Sequence, residues 1–346
     1  MPTSKHKGVS VAQRKTKIRG VYRSGSHLPI WEVLQQADIW DKVGLDLVSF
    51  EYCAMPPDAE AALFRGEIDF ISGDHLTPYG LVARGKPIVS IASPVNGQNA
   101  SVASREPLKS LQDLRGKRIA DTPMEGRDGG FHHGRGNHMM YLIRSGIGIK
   151  DVNWVEYESS DDQFEALKSG KADARFISGT GERYKELGFH ILPLGHLPMI
   201  NGPTLTTSYT VLQKKKGLGE RLVKALVLGI HFSKTQRQKT EKILANLNKK
   251  TGESYQYRSL ERMPRKPYPD PQGVINAYEL GCIKSPEARE ISALALWDLH
   301  YLRELDNSGF IDKLYSGNPR ITKHHAVDGM REESGRSGAQ SLVRTK

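Results

Sequence analysis

Apolar positions recur along this chain with two periods, and the switches between them outline alternating strands and helices. Residues 17–22 and 45–52 alternate as strands, and short apolar runs at 69–72 and 88–92 predict two more. Between them a helix opens at Leu28–Pro29, with the proline near its first turn, and another starts at Pro57–Asp58. The pattern then restarts. A short helical turn over 108–114 leads through Gly116 into a strand at 117–120, a helix is predicted over 136–145, and strands follow at 152–157 and 190–194.

One phrase occurs twice. Ala62-Leu63-Phe64-Arg65-Gly66-Glu67-Ile68-Asp69 is matched 104 residues later by Ala166-Leu167-Lys168-Ser169-Gly170-Lys171-Ala172-Asp173, and each copy soon runs into Ile-Ser-Gly. In each, an amphipathic helix meets a glycine suited to a left-handed cap, and a strand follows at once around the aspartate. The same αβ unit is used twice. This predicts an α/β fold of two similar lobes with a ligand cleft at the strand carboxyl ends.

Composition narrows the class. The 346 residues are 38% hydrophobic and 26% charged, enough for two lobes, because single cores stop growing at about 250–300 residues. No stretch reaches the roughly 20 apolar residues of a membrane helix, so no membrane insertion is expected. The net charge is +11, of which residues 1–19 hold +6 and residues 320–346 hold +3, leaving +2 for the remainder. A nearly balanced body argues against a nucleic-acid surface, which clusters its cations on one folded face. Both tails (1–16 and 317–346) are expected to be disordered, and the basic run from Asn248 to Lys266 reads as a solvated linker. Cys53 and Cys282 form no C-x-x-C pair. The N-terminal segment has no apolar h-region, which places the sequence as given in the cytoplasm, or in the periplasm or at the cell surface if the true start lies upstream.

The order of the segments carries a family resemblance. Leu111-Gln112-Asp113-Leu114-Arg115-Gly116-Lys117-Arg118-Ile119-Ala120, the two repeated phrases, and the late stretch from Ala293 through Asp312 resemble type II periplasmic solute-binding proteins. The branch they resemble is the NMT1/THI5-like one, which serves sulfonates, nitrate and pyrimidine precursors. The resemblance implies a chain that crosses from lobe 1 to lobe 2 and back: 17–102 with 206–246 as lobe 1, 103–205 as lobe 2, and a C-terminal helical segment over 247–316 bracing lobe 1.

Candidate ligand contacts are then the loops after the strands. Lobe 1 offers Ser26 and His27, then Asp74 and His75, then Asn96 and Asn99; such groups beside helix N-termini suit a small anion or a carbonyl-rich ring, although Ser26 and Asp74 read equally well as helix caps. Lobe 2 offers a Gly-rich loop from Thr122 to His138 that carries Glu125, Arg127, His132, His133, Arg135 and Asn137. Its arginines could clamp a carboxylate, sulfonate or phosphate, so replacing Arg127 and Arg135 is expected to weaken binding with little loss of stability. Ser178 and Thr180 follow the second repeat strand, while His196 and Asn201–Pro203 suit a hinge. No cofactor is expected. Metal at His132, His133 and His138 is the lesser alternative, because adjacent histidines do not easily reach one ion and no H-E-x-x-H is present.

These readings point to a receptor for a small polar, anionic or heteroaromatic molecule, serving an ABC-type importer and its permease, or to a related sensor. The alternative is a cytosolic lyase or decarboxylase on the same scaffold, with His27, His75 or His132 as general acid or base.

Overall fold

The computed structural model describes residues 15–125, 132–179 and 181–316. Arg127, Thr180 and both expected disordered tails except residues 15 and 16 lie outside the described residues. The strands are β1 (Thr16–Tyr22), β2 (Leu45–Tyr52), β3 (Phe70–Ser72), β4 (Ile88–Ala92), β5 (Gly97–Ser104), β6 (Arg118–Asp121), β7 (Asn153–Glu156), β8 (Ala174–Ser178), β9 (His190–Pro198) and β10 (Leu205–Ser208). They form two five-stranded sheets ordered β2-β1-β3-β10-β4 and β7-β6-β8-β5-β9. β1 runs parallel to β2 and β3, and β6 parallel to β7 and β8. β10 and β5 are antiparallel to both of their neighbours. The fold is mixed α/β with two lobes, and among the described residues no helix is long and apolar enough to cross a membrane.

The repeated phrase has a physical cause. Its helices, Pro56–Arg65 and Ser160–Ser169, end on Gly66 and Gly170 at φ 74° and 78°, a left-handed geometry that a side chain would strain. Each aspartate then clasps the neighbouring strand. Asp69 N donates to Arg19 O at 2.8 Å while its carboxylate accepts Arg19 N at 2.9 Å. Asp173 repeats the clasp on Arg118, at 2.8 Å in both directions. In each lobe it locks the incoming strand to the first strand before their ladder begins. Asp69 is buried and also receives Lys215 Nζ at 2.7 Å, whereas Asp173 pairs with a partly exposed Arg118 guanidinium.

The chain passes between the sheets twice, over residues 93–96 and 199–204, and the two passages hydrogen-bond to each other: Asn201 N donates to Val95 O at 3.1 Å and Met199 N to Asn96 O at 3.3 Å. The division expected at residue 102 is corrected here. β5 pairs with β8 and β9, so the second lobe begins by residue 97; the alternation of its residues fixes a strand but not the sheet that takes it.

The C-terminal segment also departs from expectation. Residues 248–266 are no linker: they close the helix Arg237–Thr251 and form the helix Tyr257–Glu261, whose Leu260 is buried, and Asn248 grips Tyr255 through both backbone groups. The helix Pro271–Lys284 reaches both lobes rather than bracing the first alone. It touches the helix Pro78–Ala83 of lobe 1 and, in lobe 2, β9 and the helix His133–Arg144. Asn276 donates to Pro198 O at 2.6 Å and accepts Arg144 Nε at 2.8 Å.

Because Asp69 is a buried carboxylate that holds both the Arg19 N–H and the partly exposed Lys215 ammonium, Asp69→Ala is expected to cost about 2 kcal/mol, and Asp173→Ala about 1 kcal/mol because its partner is more solvated. Urea unfolding of the two variants measures the difference; equal losses would mean that the clasp carries no buried charge.

Candidate functional site

A cleft of about 1230 Å³ opens between the sheets, with walls from the ends of β1 and β3, both crossovers, the start of the helix His133–Arg144, and residues 259–264. Ser26, His27, Asp74, His75, Asn96, Asn99, His132, His133 and Asn137 all line it. His196 and Asn201–Pro203, read as hinge, belong both to the wall and to β9 or the return crossover.

Three histidines are fixed by their partners. His27 Nδ1 lies 2.9 Å from Ser72 O, an acceptor only, so this nitrogen carries the hydrogen. His133 sits across the cleft from His75, with the two Nε2 atoms 2.7 Å apart. His133 Nδ1 accepts Asn137 Nδ2 at 3.1 Å and its Nε2 faces Ile200 O at 3.2 Å, so Nε2 is the donor and His75 Nε2 the acceptor. His75 Nδ1 then donates to Thr204 Oγ1 at 3.3 Å. One hydrogen-bonded chain therefore runs from lobe 2 through the histidine pair to the return crossover. Burial pushes His27 and His133 down to about 4 and holds His75 well below the ordinary imidazole range. All three are neutral at pH 7. Gly73, at φ 105°, leaves room for the His27 ring, whose Cε1 would lie 2.7 Å from an added Cβ.

Beside them lies a buried carboxyl pair. Thr77 Oγ1 is 2.7 Å from Asp74 Oδ1 and 2.8 Å from Glu60 Oε1. A hydroxyl has one hydrogen, so at least one carboxyl must be protonated. Burial, reinforced by the Asp74 charge, pushes Glu60 up to about 8, and the proton resides there at neutral pH. Asp74 adopts φ 67°, left-handed for a residue with a side chain, which aims it at the cleft.

The cation of this wall is Arg23, at the carboxyl end of β1. Its Nε and Nη1 are buried and have no hydrogen-bond partner among the described residues. The loop 23–27 stands out in the sequence for Ser26 and His27, but the arginine at the strand end is the residue with unspent donors. Gln98, within the stretch Asn96–Asn99 expected to face the ligand, lines the cleft too; Thr77, Tyr52 and the exposed Arg262 also line it, and none of these three was legible as a contact.

Four expected contacts lie elsewhere. Arg135 is buried 3.4 Å over the Trp154 ring and donates to Thr122 O, so it packs lobe 2 instead of clamping a ligand. Thr122 is turned to Asp121 Oδ1, which its N–H meets at 2.7 Å. Glu125 pairs with Lys284 at 2.6 Å and joins lobe 2 to the C-terminal helix. Ser178 is exposed at the end of β8 and outside the cleft lining. The three histidines weighed for metal diverge: His132 lines the cleft, His133 meets His75, and His138 pairs with Asp121 at 2.7 Å.

A sequence profile described as NMT1/THI5 like matches residues 35–239, more than half of the chain. The chain belongs to the NMT1/THI5-like family. No curated protein matches its sequence. This NMT1/THI5-like protein shares its fold with solved binding proteins. A putative sulfonate ABC transporter component, the periplasmic sulfonate-binding protein SsuA from Methylobacillus flagellatus, aligns at 16% identity and TM-score 0.60 over 86% of this chain and 97% of its own. The periplasmic aliphatic sulphonate binding protein SsuA from Escherichia coli aligns at 16% identity and TM-score 0.59 over 81% and 96%. The ligand-binding component of an ABC-type import system from Staphylococcus aureus, solved with zinc, aligns at 14% identity and TM-score 0.53 over 84% and 99%. The two-lobed architecture of the type II binding proteins is thus this chain's own.

Glu60, buried behind the cleft wall against Thr77 and Asp74, gives a pH dependence whose sign follows from its raised value. The folded protein holds a proton that the unfolded chain releases near 4.5, so stability is lost as pH rises from there through about 8. Glu60→Gln is expected to flatten this slope and raise the melting temperature more at pH 9 than at pH 5. Thermal unfolding across that range checks it; a larger gain at pH 5 would place the proton elsewhere.

Proposed function

We propose that the protein is the solute receptor of an ABC-type importer, or a sensor of the same design, and that it takes a small anionic or polar heteroaromatic molecule into the cleft between its lobes. The observation that carries this reading is Arg23, a residue of the cleft lining whose Nε and Nη1 have no hydrogen-bond partner among the described residues. Unpaired buried donors are costly, and an anion that accepts from them removes that cost. His27, His75 and His133 are held neutral by burial, so they do not compete with Arg23 for an anion. Membership in the family supports the same reading, as does the shared fold with periplasmic sulfonate-binding proteins, one of them a putative ABC transporter component.

Closure would turn on the two crossovers, the segments shared by both sheets, with the C-terminal helix limiting its range. A receptor of this kind works outside the cytoplasmic membrane and hands its ligand to a permease, which favours the periplasmic or cell-surface location over the cytoplasm. The lyase alternative gains nothing from the geometry: both ring nitrogens of His75 are engaged by protein groups, and His27 spends Nδ1 on Ser72 O.

Arg23→Gln is expected to weaken binding of small sulfonates, carboxylates or phosphates at least tenfold, and to lower the melting temperature because the Arg23 charge also offsets the buried Asp74 and Glu60 carboxyls. Isothermal titration of wild type and variant against such a panel measures this. Affinity unchanged by the substitution would remove Arg23 from the site.

A further inference from the structure

The same wall of the cleft holds an acceptor with nothing to accept. Asp74 is only 9% exposed, and its Oδ2 is buried without a hydrogen-bond partner among the described residues. Its other oxygen accepts from Thr77 Oγ1 at 2.7 Å, and Glu60 lies against the same carboxyl. Arg23, the residue directly after β1 in the same wall, does not satisfy Oδ2 either, although its charge acts on the carboxylate. Asp74 and Arg23 thus both line the cleft, each with a buried polar atom that has no hydrogen-bond partner among the described residues, and the Arg23 charge acts on Asp74 without a hydrogen bond between them.

We propose that the ligand is an acid that also carries an N–H or O–H donor, its anionic group taken by Arg23 and its donor by Asp74 Oδ2. This rests on the receptor reading above and sharpens it. A plain anion would satisfy Arg23 and leave Asp74 Oδ2 buried, unpaired and repelling the incoming charge. A molecule with a hydroxyl, amine or ring N–H near its acidic group satisfies both. The groups behind Asp74 keep it an acceptor. Thr77 fixes Oδ1, Glu60 from the helix Pro56–Arg65 supplies the proton that the buried pair shares, and Thr206 Oγ1 donates to the Asp74 backbone carbonyl at 3.2 Å. His75, next in sequence, is neutral and spends both nitrogens on His133 and Thr204. Burial pushes Asp74 upward as well, while Arg23, Thr77 and Glu60 act in the opposite direction on it; Glu60, pushed up to about 8, is the member that holds the proton more tightly. The left-handed backbone at Asp74 holds this orientation and is tolerated by asparagine as well as aspartate.

The test uses the full chain and matched pairs of acids that differ by one amino or hydroxyl group: ethanesulfonate against taurine and 2-hydroxyethanesulfonate, propanoate against lactate and alanine, benzoate against the aminobenzoates and hydroxybenzoates, and alkyl phosphates against their amino and hydroxy analogues. Titration calorimetry at pH 7 compares wild type, Asp74→Asn and Arg23→Gln. Asp74→Asn keeps the shape and replaces the orphan acceptor by a donor. In the best-binding pair, the donor-bearing member is expected to bind wild type at least tenfold more tightly. Asp74→Asn should reduce that preference to threefold or less, and Arg23→Gln should weaken both members. Equal binding of the two members by wild type overturns the proposal, and this readout needs no variant to fold. A preference that survives in Asp74→Asn overturns it as well; both results leave the anion site at Arg23 standing. Indifference of every pair to Arg23→Gln, or binding of none, defeats the receptor reading at that residue and this proposal with it.

Discussion

The paired crossovers are the constraint on which the rest of the molecule depends. The chain leaves the first sheet at residues 93–96 and returns at 199–204, and the two passages are joined by backbone hydrogen bonds, so the lobes meet along one narrow seam. The C-terminal segment secures that seam from outside: Ser93 N donates to Pro267 O at 2.8 Å and Asn96 Nδ2 to Tyr268 O at 2.6 Å. Asn96, a candidate ligand contact by sequence, therefore spends its amide on the seam. Because β1 and β3 of lobe 1 and the helix His133–Arg144 of lobe 2 all end at this seam, their terminal residues converge on one cavity.

Within that cavity the polar groups divide into two kinds. His27, His75 and His133 are engaged: their hydrogens are assigned by carbonyl, amide and hydroxyl partners, and burial keeps them neutral. Arg23 and Asp74 are unspent, with buried atoms that bond nothing in the protein. A fold retains unsatisfied buried groups at a cost to its own stability, and a ligand that completes them recovers that cost as affinity. The contrast between neighbours a few ångströms apart makes the wall specific rather than generally polar.

Much of the fold was legible because its signals are local. Gly66 and Gly170 announce helix ends, and the aspartates after them mark where a strand must dock, so the doubled αβ unit could be read without any tertiary information. The strand-end loops were legible for the same reason, and Ser26, His27, Asp74 and His75 do line the cleft. What failed was long-range. Arg135 stands in a Gly-rich loop next to two histidines, but Trp154, from a different strand, claims its guanidinium. β5 alternates like any strand, and only its partners reveal its sheet. Residues 259–264 form a cleft wall although their basic surroundings read as solvated, because the burial of Leu260 and Met263 depends on elements remote in sequence. Arg23 lacked a signal of its own: a single arginine after a strand is ordinary until its nitrogens are seen to have no partner.

The measurement that tests the central claim most directly is to incubate the purified protein with a pooled library of small acids and heterocycles and follow bound and free compounds by mass spectrometry. The account predicts that a compound is retained in stoichiometric amount and released chemically unchanged on denaturation. A compound consumed, with a new mass appearing in its place, would contradict it and make the cleft an active site.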